Sequence, residues 1–365
     1  MPPKTRSKGD MDNAFVIAVV GGAIMDLVFE VERMPDNDES LAASSLVNKP
    51  GGKGSNTAIA IHRAQHEKPA AEGQVPVPIE NLTSSRNGFT SSSHTRRNVR
   101  VFLNTNVAQD QFGNQLRKSL KSNYIDDSGV ETKGKDVRTG TCAVFVNATT
   151  KQSRDIPFHG ANTDWMPSEP DSVTCLAQGN VPDLIVCQLE IKRETIEEIL
   201  STATKHGVPT LFNPSPMAYI LSDHYRNMTH LIVNRNEAAV LMGGKLEDLT
   251  TKESWENAAK EFLSWGAKNV VITLGEKGAY YATDIGVDGY VAAEKALSIR
   301  DTTGAGDTFV GYYAMEFVRQ NRTRPFQSFQ WDIRKAVELG CKAAAKTISE
   351  IGAQEAIPWA DEIEC

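Results

Sequence analysis

The sequence predicts an α/β fold in which helices cover both faces of a doubly wound, mainly parallel sheet, with a small β-sheet lid beside it. The apolar, β-branched run at 16–20 ends at Gly21 and Gly22, as a buried first strand of a parallel sheet does. Further short apolar runs alternate with stretches of helical periodicity, which is the pattern of a doubly wound sheet. The predicted strands cover 16–20, 99–103, 184–186, 210–212, 230–233 and 270–273, and the predicted helices cover 57–64, 194–206, 252–265 and 333–348.

Some segments depart from this alternation. Segments 27–49 and 139–159 fit it poorly, and we expect them to form the β lid over a site. Segment 67–98 is a Pro, Ser and Thr mixture with few apolar residues, so we expect a disordered surface insertion. We interpret residues 1–12 as a disordered basic tail and residues 13–365 as one α/β domain.

The composition excludes several classes of protein. With 365 residues, 40% hydrophobic and 23% charged, the chain is long enough to bury a large core. A formal charge of −7 argues against a general nucleic-acid binder, and no long apolar run suggests a membrane span or signal peptide. We expect a cytoplasmic protein, with nuclear targeting by Lys4, Arg6 and Lys8 as an alternative. The five cysteines are scattered and odd in number, as reduced thiols would be.

The most informative stretch is 301–309, where Gly304, Ala305 and Gly306 lead into Asp307 and an apolar run of helical spacing. Backbone N–H groups at such a helix N-terminus attract phosphate. A carboxylate there suits accepting a proton from a hydroxyl that attacks the phosphate. The alternative is that Asp307 only caps the helix, which would leave the glycines before it unexplained.

A second glycine cluster lies at 50–56, before another helical run. It is not a Walker phosphate loop, because Val47 stands where that motif needs glycine. With Asp26, Lys53 and Asn56 it offers hydrogen-bond donors and acceptors suited to a polyhydroxylated ligand. A glycine-rich turn with a solvated lysine is the alternative.

Taken together, these clusters resemble those of the ribokinase family, the PfkB-type carbohydrate kinases, over nearly the whole chain. One such motif would be weak evidence, whereas an ordered set is strong. The matching motifs are, in chain order, 51–56 (GGKGSN), 159–162 (HGAN), 188–190 (QLE), 213–216 (NPSP), 234–237 (NRNE), 273–278 (TLGEKG), 301–307 (DTTGAGD) and 352–354 (GAQ) with Pro358.

The resemblance implies a ribokinase-like fold and transfer of the ATP γ-phosphoryl group to the 5-hydroxyl of D-ribose. By position, Asp307 would take the hydroxyl proton, while Gly304, Ala305 and Gly306 would stabilise the developing negative charge. The residues implied to hold the ribose are Asp26, Gly51, Gly52, Lys53, Asn56 and Glu190, together with Asp307.

The resemblance also implies positions for the nucleotide and for two cations. The nucleotide-binding residues would be Asn234, Thr273, Gly275, Gly278, Gly306 and Cys341. Glu237 would organise Mg²⁺ indirectly, and Asp301, Thr303 and Gly352 would belong to an activating K⁺ site. For Asn234 and Glu237 the alternative is a helix capping box, and for Cys341 it is packing within a helix.

The chain departs from the bacterial pattern at three positions. Ile24 replaces an asparagine that touches the sugar, so one polar contact is lost or comes from elsewhere; Glu350 and Ala356 replace a basic residue and a serine of the cation loop. The alternatives to a ribokinase are another sugar or nucleoside kinase of the family, such as an adenosine kinase, and a catalytically silent sugar-binding regulator. The family also implies a homodimer through the lid strands.

Overall fold

The structure, a computed structural model, describes residues 14–71, 73–79, 98–134, 136–150, 153–216, 222–296, 298–322 and 331–363. The strands are β1 Phe15–Val20, β2 Ile24–Val31, β3 Ser45–Gly51, β4 Val99–Ala108, β5 Val130–Lys133, β6 Gly140–Asn147, β7 Ser153–Phe158, β8 Leu184–Gln188, β9 Thr210–Asn213, β10 His230–Asn234, β11 Asn269–Thr273, β12 Ala279–Thr283 and β13 Asp288–Val291. The α-helices are α1 Lys53–Arg63, α2 Gln111–Ser122, α3 Arg193–Lys205, α4 Arg235–Leu241, α5 Lys252–Ser264, α6 Ala305–Arg322 and α7 Ile333–Thr347.

Nine of the described strands form one large sheet, in the order β13-β12-β11-β10-β9-β8-β1-β4-β5. Pairing is parallel from β5 to β11, and β12 and β13 add an antiparallel edge. The chain runs from β1 to β4 on one side and later resumes at β8 on the other, so the strand order reverses between β1 and β8. Ligands of doubly wound sheets bind beyond the C-terminal strand ends at such a reversal.

Helices cover both faces of this sheet, as the sequence predicts. Side chains alternate between faces along a strand, so Ile17 and Val19 of β1 pack in the core with α1, α2, α6 and α7. Ala18 and Val20 pack in the opposite core with α3, α4 and α5. Both faces of β1 are therefore buried, and this is why the run at 16–20 reads as continuously apolar.

The predicted strands and helices are confirmed, with boundaries shifted by a few residues. The sequence analysis did not identify β5, β12, β13 or α2, and it gave only the start of α4, as the capping-box alternative at 234–237. β5, β13 and α4 are short, with four, four and seven residues respectively, and β12 and β13 form a hairpin rather than a strand–helix unit. Helix α2 has an amphipathic pattern that was missed: Leu116 and Leu120 are buried, and the Asp110 carboxylate caps the helix by accepting from Gly113 N at 2.8 Å.

The predicted lid is present as a separate four-stranded sheet in the order β3-β2-β6-β7. Its strands begin and end near the predicted segments 27–49 and 139–159. β2 follows β1 after three residues, so the chain passes directly from the large sheet into the lid. One face of the lid turns toward the large sheet and the other carries exposed apolar side chains, including Leu46, Ile156 and Phe158.

The predicted tail and much of the predicted insertion fall outside the described residues. These are residues 1–12 of the tail, and residues 72 and 80–97 of the insertion. The first part of that insertion folds back instead of extending away: His66 and Pro78 form an antiparallel bridge, and Ile79 is buried. In the described ranges the cysteines are free thiols, and none of the helices there has the length and apolar character needed to cross a membrane.

Candidate active site

A cavity of about 530 Å³ lies between the C-terminal ends of the central strands and the inner face of the lid. Its wall combines the glycine loop before α6, the start of α1 and the residues that follow β8, β9 and β10. The lining residues that the sequence predicted are Asp26, Gly52, Lys53, Asn56, Glu190, Asn234, Glu237, Thr273, Thr303, Gly304, Gly306 and Asp307. The fold therefore brings most of the predicted site residues, which are distant in sequence, into one cavity.

Asp307 lies in the first turn of α6 and is only 6% exposed. Its Oδ2 accepts a hydrogen bond from Asn56 Nδ2 at 2.9 Å, and Asn56 Oδ1 accepts in turn from Gln354 Nε2 at 3.2 Å. Burial raises the pKa of Asp307 above its ordinary value, although the Lys53 ammonium and the Asn56 hydrogen bond oppose the rise. Within the described contacts, no N–H of α6 donates to this carboxylate, so capping does not explain it.

The glycine loop needs its glycines for two different reasons. Gly304 has φ +78°, and a β-carbon there would lie 2.9 Å from the Ala353 carbonyl oxygen. At Gly306 an added β-carbon would meet no atom within 4 Å, and the residue faces the cavity. The N-terminus of α6 therefore opens onto the cavity, as an anion-binding helix start requires.

Ala305 differs from its neighbours. It does not line the cavity, and its N–H points to the Thr302 carbonyl at 3.4 Å. The first N–H groups of a helix all point in the same axial direction beyond its N-terminus. Gly304 and Gly306 line the cavity and Ala305 does not, and the anion hole formed by the three residues stays a prediction.

The predicted sugar loop is held by the carboxylate of Glu190, which follows β8. Glu190 Oε2 accepts from the backbone N–H groups of Lys53 at 2.8 Å and Gly22 at 3.1 Å. Gly52 has φ +94°, and a β-carbon on Gly51 would lie 2.3 Å from an Asp26 carboxylate oxygen. Gly51 thus does not line the cavity but leaves the space that Asp26 occupies.

The cavity carries more carboxylates than cations. Burial, together with the nearby carboxylates of Glu190 and Asp155, raises the pKa of Asp26 to about 7. Burial likewise raises the pKa of Glu190 to about 7, against the opposing charge of Lys53. Burial alone would lower the pKa of Lys53, but the charges of Asp307 and Glu190 outweigh it and leave that pKa raised. Lys53 is therefore a charged ammonium held among carboxylates.

Asn234 and Glu237 form the capping box that the sequence analysis kept as an alternative. Asn234 N–H donates to Glu237 Oε2 at 2.8 Å, and Glu237 N–H donates to Asn234 Oδ1 at 2.9 Å, at the start of α4. Both residues also line the cavity. Burial raises the pKa of Glu237, and its hydrogen bonds oppose that rise. Capping and ligand binding are thus compatible here, because the cap holds the Glu237 carboxylate at the cavity wall.

The other predicted nucleotide residues lie at different distances from the cavity. Thr273 lines it, whereas Gly275 and Gly278, with φ +61° and +100°, form the tight turn after β11 outside its wall. Cys341 is 8% exposed within the core packing of α7. Burial raises its pKa to about 12, so the thiol is protonated. Cys341 thus packs in the core, and its contact with the nucleotide stays a prediction.

The predicted cation residues Asp301, Thr303 and Gly352 come together beside the glycine loop. Asp301 Oδ1 accepts from Thr303 N–H at 3.0 Å, and Asp301 Oδ2 accepts from Gly352 N–H at 2.9 Å. Each carboxylate oxygen keeps a further acceptor site, so the group fits a monovalent cation as an oxygen ligand. Glu350, one of the departures in this loop, points to solvent and pairs with Arg300 at 3.5 Å.

The lid supplies cavity residues that the sequence reasoning missed. They are Cys142, Val144, Ser153, Asp155 and Pro157. All lie on one face of β6 and β7, since cross-strand partners and residues two apart share a face. The alternation at 142–146 was the available signal, but it does not say which face turns inward. His159, Asn213 and Ser215, from motifs noted in the sequence, also line the wall.

Comparison with known proteins agrees with this arrangement. The sequence pattern of the pfkB family carbohydrate kinases matches residues 87–360, more than half of the chain. The chain belongs to the pfkB family of carbohydrate kinases. It is 28% identical to a ribokinase of Schizosaccharomyces pombe over 356 residues, covering 95% of this chain and 96% of the relative. It is also 28% identical to a deoxyribokinase of Salmonella typhi over 343 residues, covering 94% of this chain and 95% of the relative.

The fold of this pfkB-family chain is also that of solved ribokinases. An Arabidopsis thaliana ribokinase, solved in complex with ribose and ATP, gives a TM-score of 0.75 at 20% identity, with 96% of this chain and 97% of that one covered. A large mainly parallel sheet with a small separate sheet is thus the family architecture. In the described residues, no group of three or more His, Cys, Asp or Glu side chains is placed to hold a metal ion.

Proposed function

We propose that this carbohydrate kinase transfers the γ-phosphoryl group of ATP to the 5-hydroxyl of D-ribose, giving ribose 5-phosphate and ADP. One observation carries the proposal: the Asp307 carboxylate lies at the cavity-facing N-terminus of α6 and is hydrogen-bonded to Asn56 of the sugar loop. The names of two groups of relatives, ribokinase and deoxyribokinase, support a pentose acceptor.

In this proposal Asp307 accepts the proton of the attacking hydroxyl as the new O–P bond forms and the bond to ADP breaks. Backbone N–H groups at Gly304 and Gly306 stabilise the charge on the transferring oxygens. Lys53 and Asn56 hold the sugar close to the base, which lowers the entropic part of the barrier. The side chains of Asp26 and Glu190 accept hydrogen bonds from the other sugar hydroxyls.

The same wall fits the nucleotide and its ions. Thr273 and Asn234 lie where the strand ends of β11 and β10 meet the cavity, a usual place for nucleotide contacts. Glu237 would hold Mg²⁺ through its waters, since Mg²⁺ in kinases takes few carboxylates together with substrate phosphates and neutralises their charge. Asp301, with backbone oxygens near Gly352, would hold K⁺ beside the glycine loop.

A second candidate is phosphorylation of 2-deoxyribose, which the deoxyribokinase relative favours at the same identity. A nucleoside kinase such as an adenosine kinase would use the same base but a different sugar loop. A catalytically silent sugar-binding protein is disfavoured because Asp307 and the glycines before it are intact. The preferred acceptor therefore distinguishes a ribokinase, a deoxyribokinase and a nucleoside kinase from one another. Turnover of any acceptor distinguishes these kinases from a silent sugar-binding protein.

The test measures ADP release from MgATP with ribose, 2-deoxyribose, fructose and adenosine in parallel, each with and without K⁺. Asp307→Asn is the matched control, since it keeps the shape of the side chain and removes the base. We expect ribose-selective turnover that falls by about 10²-fold or more in the variant, while ribose binding by calorimetry persists. Selective turnover of another acceptor would refute the ribose assignment, and near-normal turnover of the variant would refute Asp307 as base.

We also propose a homodimer formed through the outer face of the lid. Leu46, Ile156 and Phe158 are 55%, 65% and 55% exposed on the lid. Phe29 and Phe145 stack on the same sheet with ring centroids 5.3 Å apart. An apolar sheet face of this kind is usually covered by a partner surface.

A further inference from the structure

Asp155 belongs to the face of the lid that covers the cavity. In the lid register Asp155 pairs with Val144, and Pro157 pairs with Cys142, which in turn pairs with Asp26 of β2. All five residues line the cavity. The position of Asp155 is therefore set by strand pairing and does not depend on a flexible loop.

The exposed Asp155 carboxylate acts on the cavity through its charge but is not held by a bonded partner. Among the contacts of the described residues, no hydrogen bond or ion pair reaches its oxygens. The three buried carboxylates across the cavity differ, because Glu190, Glu237 and Asp307 each accept a hydrogen bond from the protein. A carboxylate that faces a ligand cavity without such a partner has its acceptor sites available for the ligand.

Asp155 and Asp26 are placed to contact opposite ends of one ligand. They lie two strands and two residues apart on the same face, which separates their Cα atoms by roughly 12 Å. This is too far for both carboxylates to hold one hydroxyl, but it suits a molecule of sugar size between them. Cys142 and Val144 fill the interval with apolar surface, against which the C–H face of a sugar can pack.

The lid face over the cavity is apolar at the Ile24 end and polar at the Asp155 end. Ile24 lies on the same face as Asp26, two residues before it, and presents an apolar side chain to the cavity. Asp155 lies on the other side of Asp26 along the lid. The polar lining of the lid is thus shifted away from the Ile24 end and toward the Asp155 end.

We propose that Asp155 is a specificity-determining residue whose carboxylate accepts hydrogen bonds from hydroxyl groups of the sugar acceptor beneath the lid. The selected class is a neutral sugar with hydroxyls at both its Asp26 end and its Asp155 end. Anionic sugars are disfavoured because two carboxylates would face their charge. This inference rests on the proposed sugar kinase function.

The test compares wild type with Asp155→Leu and Asp155→Ala in the full chain. Ribose Kd is measured by calorimetry, and ribose KM and kcat by ADP release. Because Asp307 and the glycine loop are untouched, we expect Kd and KM to rise about tenfold or more, as loss of a hydrogen bond to a charged group predicts, with kcat within about threefold. The matched control is Arg154→Leu, on the same strand but the opposite face, for which we expect unchanged ribose constants.

A panel of deoxy sugars identifies the contact. The panel contains 2-deoxyribose, 3-deoxyribose and the 1-deoxy analogue. The sugar that lacks the hydroxyl bound by Asp155 should bind weakly to wild type, and its affinity should not fall further in the Asp155 variants. If wild type phosphorylates ribose but both Asp155 variants keep its Kd and KM, the inference is refuted while the proposed function stands. If wild type phosphorylates none of the sugars, the proposed function fails and this inference fails with it.

Discussion

Replacing Gln354 with glutamate is expected to shift the acid limb of the pH–rate profile to higher pH. Gln354 is 5% exposed, and its Nε2 donates to Asn56 Oδ1 and to Ser55 Oγ, each at 3.2 Å. These donations fix which way the Asn56 amide points, and so which of its atoms meets Asp307. A carboxylate at the same position can only accept. Asn56 would then turn its amide nitrogen toward the new group and present its oxygen to Asp307.

The size of the shift follows from the hydrogen bond that is lost. Burial raises the pKa of Asp307, and the hydrogen bond from Asn56 is one of the contributions that oppose the rise. A hydrogen bond to a charged group contributes about 1.5–3 kcal/mol, which corresponds to about 1–2 pH units. Asp307 acts as a base only when deprotonated, so activity is lost as pH falls through its pKa. A higher pKa moves that loss to higher pH, and the added negative charge acts in the same direction.

The assay is kcat/KM for the sugar, from ADP release, measured from acidic to mildly alkaline pH. The matched control is Gln354→Met, which has a similar length and neither donates nor accepts strongly. Asp307 then still orients the Asn56 amide, so we expect lower activity without the same displacement of the acid limb. An active glutamate variant whose acid limb coincides with that of wild type would refute the orienting role of Gln354.

Three further predictions concern the loops and the lid. Gly304→Ala places a methyl group against the Ala353 carbonyl oxygen at a residue with positive φ. The backbone strain costs about 1–2 kcal/mol and moves the anion-binding loop, so we expect a lower Tm and a lower kcat. An unchanged Tm and kcat would contradict the tight fit. Asp301→Asn weakens the proposed K⁺ site, so the K⁺ concentration for half-maximal activation should rise, and an identical K⁺ titration would exclude Asp301 from it. Phe158→Asp puts a charge on the outer lid face and should convert dimer to monomer in light scattering; an unchanged mass would place the interface elsewhere.

The frame of the fold could be predicted because its signals are local. The run at 16–20 is apolar throughout since both faces of β1 are buried, and the glycines before Asp307 coincide with the start of a periodic apolar helix. The motif at 234–237 also gave the correct local structure, since the Asn and Glu types fit a capping box. In each case residues within one turn or one strand carry the information.

The rest of the site depends on contacts between distant segments. Gln354 reaches Asn56 across 298 residues of chain, and nothing near either residue indicates their pairing. Asp155 could not be assigned to the cavity because a shift of one residue in the lid register would turn it outward. Strand register is a property of the packed chain, and this sequence specifies it only through many simultaneous contacts.

Lys53 links sugar binding to the chemistry through a shared charge. Its ammonium lowers the pKa of both Glu190 and Asp307, and their carboxylates in turn keep it charged despite burial. Removing that charge would leave two buried carboxylates uncompensated, and their pKa values would rise further. A substitution at Lys53 is therefore expected to change kcat and its pH dependence as well as KM. Asp155, on the lid, acts on this network through its charge, which contributes to the raised pKa values of Lys53 and Asp26.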